Sequence, residues 1–309
     1  MPEPSTLKNN STLQPAKIQP QTYERIRRML YDKAGIDLRQ GKEELVTSQL
    51  GKKLRETGCG SYEEYLNQVS GDRTGESLTA LIDVLTTNFT SFLREPAHFT
   101  FLREKVLPNL ADRDTVRIWC AAAATGEEPY SLIFSMLEGL GQKLGPLSGK
   151  RCQLLATDLS TQALATARKG IYPEDRLAGI PREWMSRYFL RGDGNYAGLY
   201  QVKREAAALI EFAQLNLIEN FTVKQQFPVI FCRNVMIYFD RQTQERVVNR
   251  LVQFLEPGGY LVVGHSESLN GIAHPLSFVQ PAVYRFAGPG GNSHRAAVRD
   301  QNVAESRGR

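Results

Sequence analysis

Apolar positions recur at helical spacing through the first part of the chain, and beyond it short apolar strand-like runs alternate with helical segments. Between Tyr23 and Leu85 they fall three and four apart: Ile26, Met29 and Leu30, then Val46, Leu50 and Leu54, then Leu78, Leu81, Ile82 and Leu85. That period puts each set on one helical face. Gly35 and Gly58 mark stops. Ser61 with Glu64 forms a capping box ahead of Tyr65, Leu66 and Val69, and Ser70-Gly-Asp-Arg-Thr-Gly75 breaks that segment. The spacing predicts a small all-helical domain over 21–85.

After Thr86 the pattern changes. Pro96 can occupy the first turn of a helix carrying Phe99, Leu102 and Val106, and strands then alternate with helices. Strands are predicted at Val116–Ala121, Gln153–Thr157, Leu209–Gln214, Val229–Cys232 and Tyr260–Gly264, with helices at Glu127–Leu140, Thr161–Lys169 and Gln242–Leu255. This order predicts an α/β class: a doubly wound, mostly parallel, Rossmann-like sheet over 86–286. Phe278-Val279 and Val283–Phe286 close it as late antiparallel strands. Residues 171–208 break the rhythm. Trp184, Tyr188, Phe189, the turn-rich Gly192-Asp-Gly-Asn-Tyr-Ala-Gly198 and the strand-like Leu199–Lys203 predict a small inserted β subdomain there. Residues 1–20 and 287–309, rich in Pro, Gly, Ser, Asn and Gln, are expected to be disordered tails.

With 309 residues, 41% of them hydrophobic, the chain can bury the cores of about two domains, which excludes disorder throughout. A net charge of +5 without a block of like charge gives no nucleic-acid tail and suits an acidic protein partner equally well. Cys59, Cys120, Cys152 and Cys232 share no metal-ligand spacing, and three lie in apolar strand-like runs, so they read as buried free thiols. No signal-peptide pattern and no apolar stretch of roughly 18 residues is present, so a cytoplasmic location without membrane insertion is expected.

The segment Val116-Arg-Ile-Trp-Cys-Ala-Ala-Ala-Ala-Thr-Gly-Glu-Glu-Pro-Tyr130 reads as strand, tight turn and helix. Its tiny turn residues let a ligand lie against the backbone. Glu127 and Glu128 would repel a pyrophosphate there and attract a cation carrying an amino group and a sulfonium centre, as S-adenosylmethionine does. Dipole complementarity in the first helical turn explains at least one of the two equally well. Asp158, at the carboxyl end of Leu154-Leu-Ala-Thr-Asp158, is placed to bind two ribose hydroxyls or to cap the next helix, a post for which Ser160 competes. In Phe231-Cys-Arg-Asn-Val-Met-Ile-Tyr-Phe-Asp240 an apolar strand runs into Arg233 and Asn234. Asn234 offers donor and acceptor to a ligand, and Tyr238 either orients a nucleophile or packs. Thr86-Thr-Asn-Phe-Thr-Ser-Phe-Leu-Arg-Glu-Pro96 concentrates hydroxyls, Asn88 and Arg94 at the domain junction, as a ligand-contacting segment or as a turn-prone helix start.

These segments, with Pro257-Gly-Gly-Tyr-Leu-Val-Val-Gly-His-Ser-Glu-Ser268, together resemble the CheR-type chemotaxis receptor methyltransferases from about Tyr23 to Phe286. The resemblance implies S-adenosylmethionine as cofactor, with contacts at Asn88, Thr90, Arg94, Glu128, Asp158, Asn216, Leu217, Arg233 and Asn234. It places Arg94 and Tyr238 nearest the transferred methyl. Two departures stand out: Pro228 replaces an acid before its strand, and Ala121–Ala124 replace a more Gly- and Ser-like turn.

The implied reaction is methylation of receptor glutamate side chains to methyl esters, leaving S-adenosylhomocysteine. A glutamate carboxylate, with an ordinary pKa of about 4.3, needs no general base, so the enzyme must align the reactants and exclude water. His98, His265 and His274 lie in separate segments with no shared metal spacing, so no metal is expected, and His265 reads as packing or as part of the pocket wall. Lys52, Lys53 and Arg55 on the helix Glu43–Thr57 offer a docking face for acidic receptor helices, or merely a solvated surface diluted by Glu56. By the same resemblance, Gly192, Gly194 and Gly198 belong to a subdomain that adds a receptor's C-terminal pentapeptide as a strand. The expected enzyme is a monomer. A methyltransferase acting on RNA or a small molecule would show itself by steep salt dependence of RNA affinity. A non-catalytic S-adenosylmethionine-binding receptor scaffold is opposed by the joint presence of Arg94 and Tyr238. NAD-dependent hydride transfer is opposed by the absence of GxGxxG.

Overall fold

The protein is described by a computed structural model covering residues 17–86, 90–141 and 152–289. It opens with α1 (Pro20–Ala34), α2 (Glu43–Thr57), α3 (Tyr62–Gly71) and α4 (Glu76–Leu85). The faces marked by the helical spacing are the buried ones: Ile26, Leu30, Val46, Leu50, Leu66 and Leu81 are all almost fully enclosed. Gly58 caps α2 in the left-handed conformation. Ser61 Oγ accepts the Glu64 N–H at 3.1 Å, while Glu64 Oε2 accepts from the Gly60 N–H at 2.8 Å, so the capping box closes one residue upstream of its usual partner. Of the tails expected at the two ends, residues 1–16 and 290–309 lie outside the described residues, and Ile18 is buried.

By internal contacts the chain divides into two compact units, residues 1–32 with 38–87 and residues 33–37 with 88–309. Within the second, Ile36 forms an isolated antiparallel bridge with Phe239, and the Asp37 N–H donates to the Tyr238 carbonyl at 2.7 Å.

The second unit begins with α5 (Ala97–Phe101), which widens into a π turn over Leu102–Val106 and then tightens to a 3-10 turn over Leu107–Leu110. Pro108 has no N–H to return to the preceding turn, so the regular helix expected through Val106 cannot be prolonged. A seven-stranded sheet follows, built from β1 (Val116–Cys120), β2 (Cys152–Asp158), β6 (Ile210–Gln214), β7 (Phe227–Phe231), β8 (Leu255–Val262), β9 (Leu276–Gln280) and β10 (Val283–Phe286). Its order is β6-β2-β1-β7-β8-β10-β9, parallel from β6 to β8, with β10 antiparallel to β8 and β9 antiparallel to β10. Helices α6 (Glu127–Gly139), α7 (Thr161–Lys169) and α10 (Arg241–Val252) are interleaved with these strands.

Side chains alternate between two cores. Ile118, Cys120, Val229, Phe231 and Val262 enter one, whereas Trp119, Ala121, Ile230, Cys232, Leu261 and Val263 enter the other. Burial of both faces explains why these strands read as nearly continuous apolar runs. Cys120, Cys152 and Cys232 are buried free thiols, and Cys59 is free and partly exposed.

One expectation is corrected at β8. The helix expected to reach Leu255 ends at Val252, and Leu255 already opens a strand that was expected to start only at Tyr260. The register explains it: Phe227 pairs with Leu255 but Val229 pairs with Tyr260, so residues 256–259 bulge opposite Pro228. Pro228 is the second residue of this inner strand rather than its first, and it is tolerated because the ladder is already interrupted where its N–H is missing.

The insertion contains β3 (Ile171–Pro173), α8 (Arg182–Tyr188), β4 (Phe189–Arg191), β5 (Leu199–Val202) and α9 (Arg204–Ala207). The strands form an antiparallel sheet in the order β3-β5-β4. Tyr188, fully buried, stacks on Phe134 of α6 at 4.3 Å between ring centroids. Among the described residues, no helix is long and apolar enough to cross a membrane.

Candidate active site at the carboxyl ends of the parallel strands

The turn after β1 is shaped by backbone geometry. Ala124 and Gly126 both have positive φ, 45° and 101°. A Cβ at Gly126 would stand 2.6 Å from Tyr172 Oη and 2.8 Å from Ala167 Cβ, so only glycine fits there. Tyr172 Oη in turn donates to the Thr125 carbonyl at 2.8 Å, fastening the turn to the inserted sheet. Asp158 receives the Ala124 N–H on Oδ2 at 2.8 Å and the Ser160 N–H on Oδ1 at 2.9 Å. The α7 cap is Ser160, whose Oγ accepts the Ala163 N–H, so the Asp158 carboxylate serves the turn.

Glu127 and Glu128 do not share one partner. Glu127 is fully buried and pairs with Arg176, which also donates to the Thr90 carbonyl at 3.1 Å. Glu128 accepts from Arg233 Nη1 at 2.8 Å. Each carboxylate therefore has its own arginine, and the attraction to a cationic ligand expected from two adjacent acids is largely spent inside the protein.

Arg233, at the end of β7, joins several expected residues. Its Nη2 donates to the Arg94 carbonyl at 2.6 Å and to Glu95 Oε2 at 2.9 Å. Its Nε is buried without a hydrogen-bond partner. Asn234 Nδ2 reaches Glu95 Oε1 at 3.4 Å, and the His265 N–H donates to Glu95 Oε2 at 3.1 Å. Burial opposes the charge on Glu95, yet the hydrogen bond and charge of Arg233 hold it below the usual carboxylate range. Burial raises Glu128 despite Arg233, and together with the Glu128 carboxylate raises the Cys120 thiol well above its usual range. Cys120 therefore stays protonated and directs its S–H at Glu128 Oε1, 3.6 Å away.

Asn234 itself adopts a left-handed backbone, φ 57°. Glu267 enforces it, accepting N–H groups from Asn234 at 2.8 Å, Met236 at 2.7 Å, Ile237 at 3.3 Å and Gly264 at 2.6 Å. This buried carboxylate collects the strand-end amides of β7 and β8 into one nest.

The remaining expected residues lie along the same strand ends or elsewhere. Asn216 Nδ2 donates to the Lys33 carbonyl at 2.8 Å, and Leu217 is buried in the core cluster with Trp119 and Ala121. Tyr238, in a 3-10 turn after Asn234, packs against that same core. Asn88 lies outside the described residues. Lys52 and Arg55 are exposed on α2, where Lys52 and Lys53 approach Glu56 at 4.0 and 3.5 Å. Gly192, Gly194 and Gly198 lie between β4 and β5; the Gly192 N–H donates to the Leu199 carbonyl at 2.8 Å.

Sequence reasoning assigned no role to Glu95, Arg176 or Glu267, and separated histidines that the fold brings together. The His98 and His265 rings meet edge to face at 4.6 Å beside Glu95. Burial, then the charge of Arg233, push His98 down to about 4, so its imidazole is neutral. Neither Glu95, which follows Arg94, nor Glu267, in His265-Ser-Glu-Ser268, stands in an apolar run, so local patterning carried no signal of their roles.

Comparison with known proteins agrees with this architecture. A family model described as the CheR methyltransferase, SAM binding domain, matches residues 88–284, and one described as the CheR methyltransferase, all-alpha domain, matches residues 21–86. Chemotaxis protein methyltransferase 2 of Pseudomonas aeruginosa is 40% identical over 85% of this chain and 91% of its own. The chemotaxis protein methyltransferases of Salmonella typhimurium and Borreliella burgdorferi are 38% and 36% identical, over 86% and 84% of this chain and 90% and 92% of theirs.

The residues present suit S-adenosylmethionine. Asp158, at the carboxyl end of β2, holds the turn by accepting the Ala124 and Ser160 amides, and a carboxylate has about four lone-pair sites in all. The alanine turn and the left-handed Asn234 open backbone to a ligand at the strand ends, where sheets of this kind bind ligands. The chain belongs to the CheR-type chemotaxis protein methyltransferases, which are S-adenosylmethionine-dependent enzymes.

Proposed function

We propose that this enzyme methylates glutamate side chains of chemoreceptors in the cytoplasm, yielding glutamate methyl esters and S-adenosylhomocysteine. The supporting observation is the full-length similarity to proteins named chemotaxis protein methyltransferases. The bound cofactor supplies an electrophilic methyl group on a sulfonium.

In this reading Asp158 binds the ribose hydroxyls, and Asn88, Thr90, Glu128, Asn216, Leu217, Arg233 and Asn234 line the rest of the cofactor site. The Glu128–Arg233–Glu95 network holds Glu128, Arg233 and Asn234 in place before any ligand arrives, so these groups need little reorganisation on binding. Arg94 and Tyr238 stand at the reacting end, Arg94 attracting the incoming carboxylate and Tyr238 orienting it by a hydrogen bond. No proton has to be removed from a glutamate side chain at neutral pH, so the chain's task is alignment and exclusion of water.

The helical domain takes residues 21–85 and the catalytic domain 86–286, with 171–208 as its insertion. The exposed positive face of α2, with Lys52, Lys53 and Arg55, receives the acidic receptor helix. The antiparallel sheet of the insertion, with Gly192, Gly194 and Gly198 in its β4–β5 connection, takes up a receptor's C-terminal pentapeptide by edge pairing. The enzyme works as a monomer.

The test is incubation of the purified enzyme with radiolabelled S-adenosylmethionine and receptor cytoplasmic domains, with and without the receptor's last residues. Base-labile label in the receptor is the expected result, with less when the terminal residues are missing. No label above background with any glutamate-bearing receptor overturns the substrate assignment.

A further inference from the structure

His98 is a fully buried base whose two ring nitrogens have no hydrogen-bond partner among the described residues. An enclosed polar atom without a partner is costly, and the surroundings of this one are not apolar. Glu95 Oε2 stands 3.5 Å from its Nδ1 without the alignment of a hydrogen bond, and the exposed His265 ring lies against it. One ligand atom from each of Glu95, His98 and His265 lies within 4.8 Å of the other two.

Two imidazoles and a carboxylate are the donor set of three-ligand zinc sites, which keep a fourth position for water. Bonds of about 2.0–2.2 Å bring tetrahedral donors to roughly 3.3 Å of one another, so the cluster must contract around an ion. His265 is the member able to do this, since its exposed ring can swing while its backbone N–H stays on Glu95. The same exposure gives an ion its path from solvent. We propose that Glu95, His98 and His265 form a binding site for one divalent transition-metal ion, with zinc preferred.

The nearest opposing charge effect is Arg233, whose guanidinium shares Glu95 at 2.9 Å and repels a dication. A carboxylate has lone pairs enough to serve both, and among the described residues Glu95 Oε1 carries only the long 3.4 Å contact from Asn234. An ion at this point therefore draws on the carboxylate that also positions Arg233, and the two compete for Glu95.

The test is a titration of the tag-free, full-length protein with Co2+, followed by visible absorption, with Zn2+ as competitor. The expected result is intense d–d absorption of tetrahedral Co2+ saturating at one equivalent and abolished by Zn2+. His265→Ala, a change at an exposed position, should weaken binding ~10-fold or more, in line with the cost of disturbing metal-site residues. His98→Gln should do the same, and Cys59→Ser should leave the titration unchanged. Absence of the absorption overturns the proposal, as does undiminished affinity in both histidine variants or loss of the signal in the cysteine variant. None of these readouts depends on methyl transfer, so failure here leaves the proposed substrate untouched.

Discussion

Arg233 Nη1 lies 2.8 Å from Glu128 Oε2, with 0% of one side chain and 7% of the other exposed. Arg233 follows β7 and Glu128 stands in the first turn of α6, so this buried pair ties together two of the segments that carry expected cofactor contacts. Arg233 also serves Glu95, which makes the pair unequal. Arg233→Ala strands the buried Glu128 and the partly buried Glu95 and should cost about 3–5 kcal/mol, whereas Glu128→Ala leaves Arg233 with Glu95 and should cost less. Urea unfolding of the two variants checks the order; equal or reversed costs contradict it.

Gly126→Ala adds a Cβ where Tyr172 Oη and Ala167 already stand, at a φ of 101°. Strain and clash together should destabilise the protein by about 2 kcal/mol or more, and they act on the turn proposed to face the cofactor. Calorimetric affinity for S-adenosylhomocysteine should fall together with the thermal midpoint. A variant with wild-type values for both refutes the role given to this turn.

Glu267 accepts four backbone N–H groups and supports the left-handed Asn234. Glu267→Gln replaces one accepting oxygen with a donor that must face other donors, so stability should drop by about 2–3 kcal/mol. Because Asn234 is displaced with it, the KM for S-adenosylmethionine should rise. A drop in stability with unchanged KM assigns Glu267 to the fold alone.

Tyr238→Phe removes only the phenol oxygen. If that oxygen orients the substrate carboxylate, kcat should fall ~10-fold or more, a cost of about 1.4 kcal/mol, while the affinity for S-adenosylhomocysteine remains that of the wild type. A fall in cofactor affinity with unchanged kcat reverses the assignment.

Asp72 opens α4 by accepting the Thr74 N–H and hydroxyl at 2.8 and 2.7 Å and the Ser77 N–H at 2.7 Å. The hydrogen bonds from Thr74 and Ser77 hold its carboxyl well below the ordinary 3.8. A carboxyl depressed in the native state contributes stability that is complete above the unfolded value and is lost as pH falls below it. Asp72→Asn should therefore be less stable than the wild type at pH 7, and the gap should narrow progressively below pH 3.8. A gap that stays constant with pH excludes this linkage.

Local spacing carried the helices, the alternating strands and the glycine-punctuated turns, because helix and strand periods are written residue by residue. Val46, Leu50 and Leu54 on α2 could be placed on one face from the sequence alone, whereas the apolar run of β1 marked a strand but not which core Ile118, Trp119 or Cys120 enters. The turn at Ala121–Gly126 and the polar strand end at Arg233-Asn234 were legible for the same reason. Tertiary structure decided how the charges divide. Arg233 meets Glu128 across 105 residues and Glu95 across 138, and Glu127 finds Arg176 in the insertion rather than sharing its neighbour's partner. No period encodes such pairings; they follow from burial, where a charge has to find a partner or be neutralised. The same holds for His98 and His265, which are far apart along the chain yet meet because α5 and the end of β8 converge on Glu95.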